Sequence, residues 1–218
     1  MTLTHSAQKL EARSNRNDRA HIAFERLQSL ADVVVSGDGE IAVVRALQPN
    51  APPLVDGDDP AGGMFLSNSL YDATPFPARH LVDMASYHYS IEGHPATSLI
   101  AQLGCPFGCG FCGGRNSMSL RMIRTRTTKS IIAEMEFIYR VYGYTGFMFY
   151  DDELNVSKDM IPLMNAITHL QEQFGVEFRL RGFVKAELFT KPQADAMYQA
   201  GFRWLLSGFE SRDCCTDR

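Results

Sequence analysis

The sequence has no apolar run near the roughly 20 residues needed to cross a bilayer, so no membrane span is expected. It has no excess of basic charge either. Lys and Arg total 21 against 25 Asp and Glu, a net of −4, so composition gives no support for a nucleic-acid partner. Residues Met1 to Asn17 lack the apolar stretch of a secretory signal, and Glu11 and Asp18 argue against a transit peptide. There is no repeat at solenoid period and no low-complexity tract. Cysteine is sparse: five residues, three of them within eight positions and two adjacent near the C-terminus. That distribution does not suit a disulfide framework, and a reducing cytoplasmic location is expected.

What remains is an ordinary globular balance, 45% hydrophobic and 21% charged over 218 residues, enough for one domain and part of another. Residues 1–21 are polar and expected to be frayed or disordered. Residues 22–48 read as a small α-β-α piece. A helical pattern runs from Ile22 to Leu30, Asp32-Val33-Val34-Val35 forms a β-branched strand, Gly37 to Glu40 turns, and Ile41 to Leu47 forms a second helix. Residues 49–95 are punctuated by Pro52, Pro53, Pro60, Pro75, Pro77 and Pro95 and read as a linker or bridge.

From residue 96 the pattern is regular. Thr97–Leu103, Gly146–Tyr150, Phe178–Val184 and Phe202–Ser207 read as strands. Between them lie helices. Thr128 to Tyr142 carries Ile131, Met135, Ile138 and Tyr142 at helical spacing. The next helix has Ser157 or Asp159 as its N-cap, Asp159 being the better because it puts Pro162 in the first turn, and ends before Gly175. Thr190-Lys191-Pro192-Gln193 is a capping box that starts a third, which ends at Gly201. Strand–helix alternation predicts an α/β fold with a parallel sheet, open or curled towards a barrel. In either form, chemistry belongs at the C-terminal strand ends. Cys105, Asp151-Asp152 and Glu210 all follow strands.

The cysteines stand in Gly104-Cys105-Pro106-Phe107-Gly108-Cys109-Gly110-Phe111-Cys112, a C-x3-C-x2-C spacing. Thiolates are the soft ligands that iron–sulfur clusters take, and three of them leave one iron of a [4Fe–4S] cube open. An open position marks a catalytic metal site. The other reading is zinc with a fourth ligand elsewhere, although zinc ribbons use two separated C-x2-C pairs and here there is no second pair. Asp151 and Asp152 could instead cap the loop before the next helix, and Glu210 could be a solvated charge. Arg179, Arg181 and Lys185 alternate towards one face, as a barrel lining or a charged edge. Arg121, Arg124 and Arg126 form a basic stretch that reads as solvated surface.

At these cysteines, with Phe111 in the aromatic slot, the sequence resembles the radical S-adenosylmethionine (SAM) superfamily. Flanking segments resemble its cobalamin-binding-domain members: Pro77 to Met84 before the loop, Phe149-Tyr150-Asp151-Asp152, Gly208-Phe209-Glu210-Ser211, and Ala31 to Glu40 as the end of a cobalamin domain. The resemblance implies a partial parallel (β/α) barrel with about four strand–helix units present in residues 96–218, preceded by a cobalamin-domain remnant at 22–48. It implies a [4Fe–4S] cluster on Cys105, Cys109 and Cys112, and SAM bound by the open iron. It also implies reductive cleavage of SAM to a 5′-deoxyadenosyl radical that abstracts hydrogen from a small-molecule substrate, for methylation or ring formation.

Residue by residue, Phe111 would pack near the adenine or the cluster, and Asp151 and Asp152 would meet the methionine amino end of SAM. Lys185 would contact its carboxylate, though Lys lacks the bidentate geometry of the Arg that many relatives carry there. Glu210 would contact the ribose. An electron donor such as a flavodoxin or ferredoxin is implied. No Asp-x-His-x-x-Gly motif is present and only a fragment of a cobalamin domain fits before residue 50, so the expectation runs against cobalamin. Two barrel units are expected to be missing, and residues 211–218 read as a truncated or frameshifted end, with Cys214 and Cys215 as bystander thiols. The alternative function is a non-catalytic iron–sulfur or zinc-binding module.

Overall fold

The computed structural model describes residues 25–112, 114 and 117–208. In chain order its elements are β1 (Val34–Gly37), α1 (Ala42–Ala46), β2 (Leu54–Gly57), α2 (Asn68–Ala73), β3 (Ser90–Ile91), β4 (His94–Leu99) and β5 (Gln102–Leu103). These are followed by α3 (Met118–Arg121), β6 (Arg124–Thr125), α4 (Thr128–Tyr142), β7 (Gly146–Phe149), α5 (Met160–Phe174), β8 (Arg179–Phe183), α6 (Lys191–Ala200) and β9 (Phe202–Leu206). The chain divides into two compact units, residues 1–71 with 104–124, and residues 72–103 with 125–218.

The second unit is built as α/β alternation requires. Its sheet runs β3-β4-β7-β8-β9; β4, β7, β8 and β9 are parallel, and β3 turns back antiparallel at one edge. β7 is buried along its whole length, as an interior parallel strand is. Helix α4 turns Ile131, Met135 and Ile138 inward onto Phe147 and Phe149, and α5 adds Leu163, Met164 and Ile167. Each such large apolar side chain contributes about 1.5–3 kcal/mol on burial.

The predicted helix boundaries hold. Helix α4 spans Thr128–Tyr142, Thr190 and Gln193 close the capping box of α6, and Gly175 and Gly201 end their helices in the left-handed region. Asp159 occupies the N-cap of α5, but its side chain makes no capping bond. Instead its backbone N–H donates to Ser157 Oγ at 3.2 Å.

The first parallel strand differs from expectation. It leaves the sheet at Leu99, not Leu103. Beyond Leu99 the backbone finds other partners: Ala101 N–H donates to Asp151 Oδ2, and Ala101 O accepts from Arg126 N–H. Cys105 therefore follows the sheet strand by six residues, with β5 between.

The first unit contains a strand within the stretch read as a linker. β2 pairs in parallel with β1, from Val34↔Leu54 to Gly37↔Gly57. Flanked by Pro52, Pro53 and a Gly-Asp run, β2 is too short to show an alternating pattern. Helical residues 25–30 precede β1, in the described part of the expected Ile22–Leu30 helix.

Candidate functional site

The cysteine loop belongs to the first unit. Gly104 enters it at φ +88°, and a Cβ there would lie 2.2 Å from Met122 O, so only glycine lets the two arms meet. Cys105 N–H donates to Leu120 O at 2.8 Å, closing the base of the loop. At its far end Cys112 N–H donates to Cys109 O at 3.1 Å, making a turn that carries two of the three thiols. Arg121 donates to Pro106 O at 2.6 Å. Cys105 and Cys109 are half-buried, Cys112 is exposed, and none is in a disulfide. Phe111 stands 71% exposed.

Among the described residues no three His, Cys, Asp or Glu side chains converge as metal ligands. The donor set itself suits a soft metal: three thiols within eight residues, accessible, on a backbone able to turn tightly. Sites of this kind form as ligands close on the metal and are rarely preformed.

Asp151, Asp152 and Lys185 belong to the second unit, where β7 and β8 lie side by side. Asp151 is buried, and Asp152 is exposed. Burial lifts the Asp151 carboxyl to about 7, against the pull of the Ala101 and Gln102 backbone N–H groups and with a smaller push from the Asp152 charge. Its Oδ1 has no hydrogen-bond partner; Gln102 Oε1, Glu153 Oε2 and Arg181 Nε are likewise buried and unpartnered. Gln102 and Glu153 are neighbours, for Gln102 Nε2 donates to Glu153 O at 3.1 Å. Burial also raises the Glu153 pKa, opposed by Lys185.

Lys185 is held by its own backbone. Its N–H donates to Asn155 Oδ1 and its carbonyl accepts from Asn155 Nδ2, each at 2.9 Å. Its Nζ lies 3.2 Å from the Glu187 carboxylate.

Glu210 and its Gly208-Phe209-Glu210-Ser211 context, apart from Gly208, lie outside the described residues, as do Cys214 and Cys215. Gln102, Glu153 and Asn155 were not foreseen. Glu153 directly extends the Asp151-Asp152 pair and could have been noticed; Gln102 and Asn155 carry no sequence signal.

The basic stretch is not solvated surface. Arg124 is buried in the first unit and ion-paired with Asp38. Arg126, in the second, pairs with Glu134 at 2.5 Å, and Glu134 also takes Arg79 at 2.7 Å. The partner of Arg124 lies 86 residues away and that of Arg126 lies eight residues on, on the buried side of α4, so the local run of three arginines misleads.

No family model matches the chain. It is 26% identical over 141 residues to a protein of Pyrococcus horikoshii described as an uncharacterized methyltransferase. The match takes in 64% of this chain and 29% of that protein, so the chain spans under a third of its relative's length. Among solved structures it is similar to the radical S-adenosylmethionine methyltransferase TsrM from Kitasatospora setae, in a form with tryptophan substrate and a SAM analogue. That match has TM-score 0.47 and 22% identity, over 52% of this chain and 22% of that one. A second form of TsrM, with cobalamin and a [4Fe–4S] cluster, matches at the same score over 53% of this chain. No helix among the described residues is long and apolar enough to cross a membrane.

Proposed function

We propose that the chain is a radical SAM protein, or the part of one that carries its cluster loop and first barrel strands, with methyl transfer as its reaction class. The observation that carries this reading is the Cys105, Cys109, Cys112 loop with Phe111 between the last two thiols. The methyltransferase description of the Pyrococcus horikoshii relative favours methylation over ring formation.

Cys105, Cys109 and Cys112 would hold a [4Fe–4S] cluster, whose chemistry when bound is one-electron reductive cleavage of SAM, fed by a flavodoxin- or ferredoxin-like donor. The remaining work falls to the chain's own groups. Gln102 Oε1, Asp151 Oδ1 and Glu153 Oε2 are buried acceptors lacking donors. Leaving such atoms unsatisfied is costly, and an ammonium group supplies three donors and a positive charge. We assign Asp151 and Asp152 to the methionine amino end of SAM, with the unpartnered oxygens of Gln102 and Glu153 as further acceptors. Lys185, fixed through its backbone by Asn155, would meet the carboxylate, Phe111 the adenine or cluster, and Glu210 the ribose.

The test is anaerobic reconstitution with iron and sulfide. About four irons per chain, lost when Cys105, Cys109 and Cys112 are each changed to Ala, supports the reading. One zinc and no iron–sulfur chromophore contradicts it.

A further inference from the structure

The arm that returns from the cysteine loop, residues 117–124, is anchored in the first unit by two acids, Asp58 and Asp38, the first buried and the second half-buried. Asp58, at the C-terminal end of β2 and fully buried, accepts three hydrogen bonds from it. Ser117 Oγ donates at 2.6 Å, Ser119 N–H at 2.5 Å and Met118 N–H at 3.1 Å. Burial pushes its pKa up, but the bonds from Ser117, Ser119 and Met118 outweigh burial and hold the carboxyl below its ordinary value.

Asp38, after β1, takes the second contact. It pairs with Arg124, whose guanidinium also donates to Leu66 O at 3.0 Å and to Ser119 O, and lies 4.8 Å over the Phe65 ring. Gly37 makes room for this arrangement, since a Cβ there would stand 2.4 Å from Asp58 N.

The anchored arm is the one that closes the cysteine loop. Leu120 O accepts from Cys105 N–H, and Met122 O faces Gly104. A continuous path of short contacts thus runs from Asp58 through Ser117–Ser119 and Leu120 to the first cysteine.

We propose that Asp58 is a positioning residue for the cysteine loop, fixing from the β1–β2 pair the return arm against which Cys105 is set. This rests on the reading of that loop as a cluster site. The segment before the loop thereby gains a task within this chain: it is the platform on which the ligands are aligned. Outer-shell groups that orient ligands typically change metal affinity by about 10- to 100-fold when removed.

The experiment uses the full chain, reconstituted anaerobically, with wild type, Asp58→Ala, Asp58→Asn and Ser117→Ala compared. The readouts are iron per chain, bleaching of the cluster chromophore by a chelator, and far-ultraviolet circular dichroism. Asp58→Ala is expected to keep its circular dichroism and to bleach about 10-fold faster or more. Asp58→Asn, which retains an acceptor, is expected to fall between Asp58→Ala and wild type. Ser117→Ala removes one donor and leaves Asp58 its two backbone bonds, so it stays informative if Asp58→Ala does not fold, and it too is expected to bleach faster. Wild-type iron content and bleaching in a folded Asp58→Ala, or in Ser117→Ala where Asp58→Ala does not fold, overturns the proposal alone. A wild-type chain that takes up no iron overturns the cluster reading, and this proposal with it.

Discussion

Asn155 grips Lys185 by both polar groups of its backbone, accepting from its N–H and donating to its carbonyl, each at 2.9 Å. A single amide thereby ties the turn after β7 to the end of β8. The side chain of Lys185 is left 21% exposed, with Glu187 as its ion-pair partner. Asn155→Ala removes both bonds at a buried site and is expected to cost about 1–3 kcal/mol in denaturant unfolding. Asn155→Asp retains the acceptor for Lys185 N–H but loses the donor, and should fall between the two.

Asp151 predicts a pH dependence. Its folded pKa, raised to about 7 from 3.8, means that the folded state binds more protons than the unfolded state between those values. Stability contributed by this group therefore falls as pH rises from about 4 through 7. Asp151→Asn abolishes that penalty. Its melting temperature relative to wild type should rise from pH 5 to pH 8, measured without ligand. A constant difference across that range would show that the carboxyl is not titrating there.

Glu134 lies 1% exposed between two guanidiniums, those of Arg79 and Arg126. Glu134→Ala would strand two buried cations, and a loss of about 3–5 kcal/mol is expected in urea unfolding. Arg126→Met leaves the Arg79 pair intact and should cost less.

Thr190→Ala opens the capping box of α6, whose Thr190 Oγ1 accepts from Gln193 N–H at 3.5 Å. The expected loss is about 1 kcal/mol, with no change in cluster loading. Because α6 belongs to the second unit and the cysteine loop to the first, the variant serves as a destabilised control for variants near that loop.

The helices of the second unit were legible because each carries its own local code. The apolar stripe of α4, the Thr190–Gln193 box and the glycines after α5 and α6 need no tertiary information. β2 was not legible, because four residues beside two prolines carry no period and form a strand only through pairing with β1. Arg124 and Arg126 look solvated for the same reason. Their partners lie 86 and 8 residues away, and the one near Arg126, Glu134, sits on the buried side of α4. At the site, the thiol spacing and the carboxylates after β7 could be read directly. Gln102, Asn155 and Asp58 could not, since each acts through a backbone or side-chain group far along the chain.

An open iron on the cysteine loop would respond to SAM in the electron paramagnetic resonance spectrum of its cluster. The anaerobically reconstituted, reduced protein would be recorded with and without SAM. A [4Fe–4S]⁺ signal whose shape shifts when SAM is added is the expected result. A cluster signal indifferent to SAM, or no cluster signal at all, would rule out an open, SAM-binding iron on this loop.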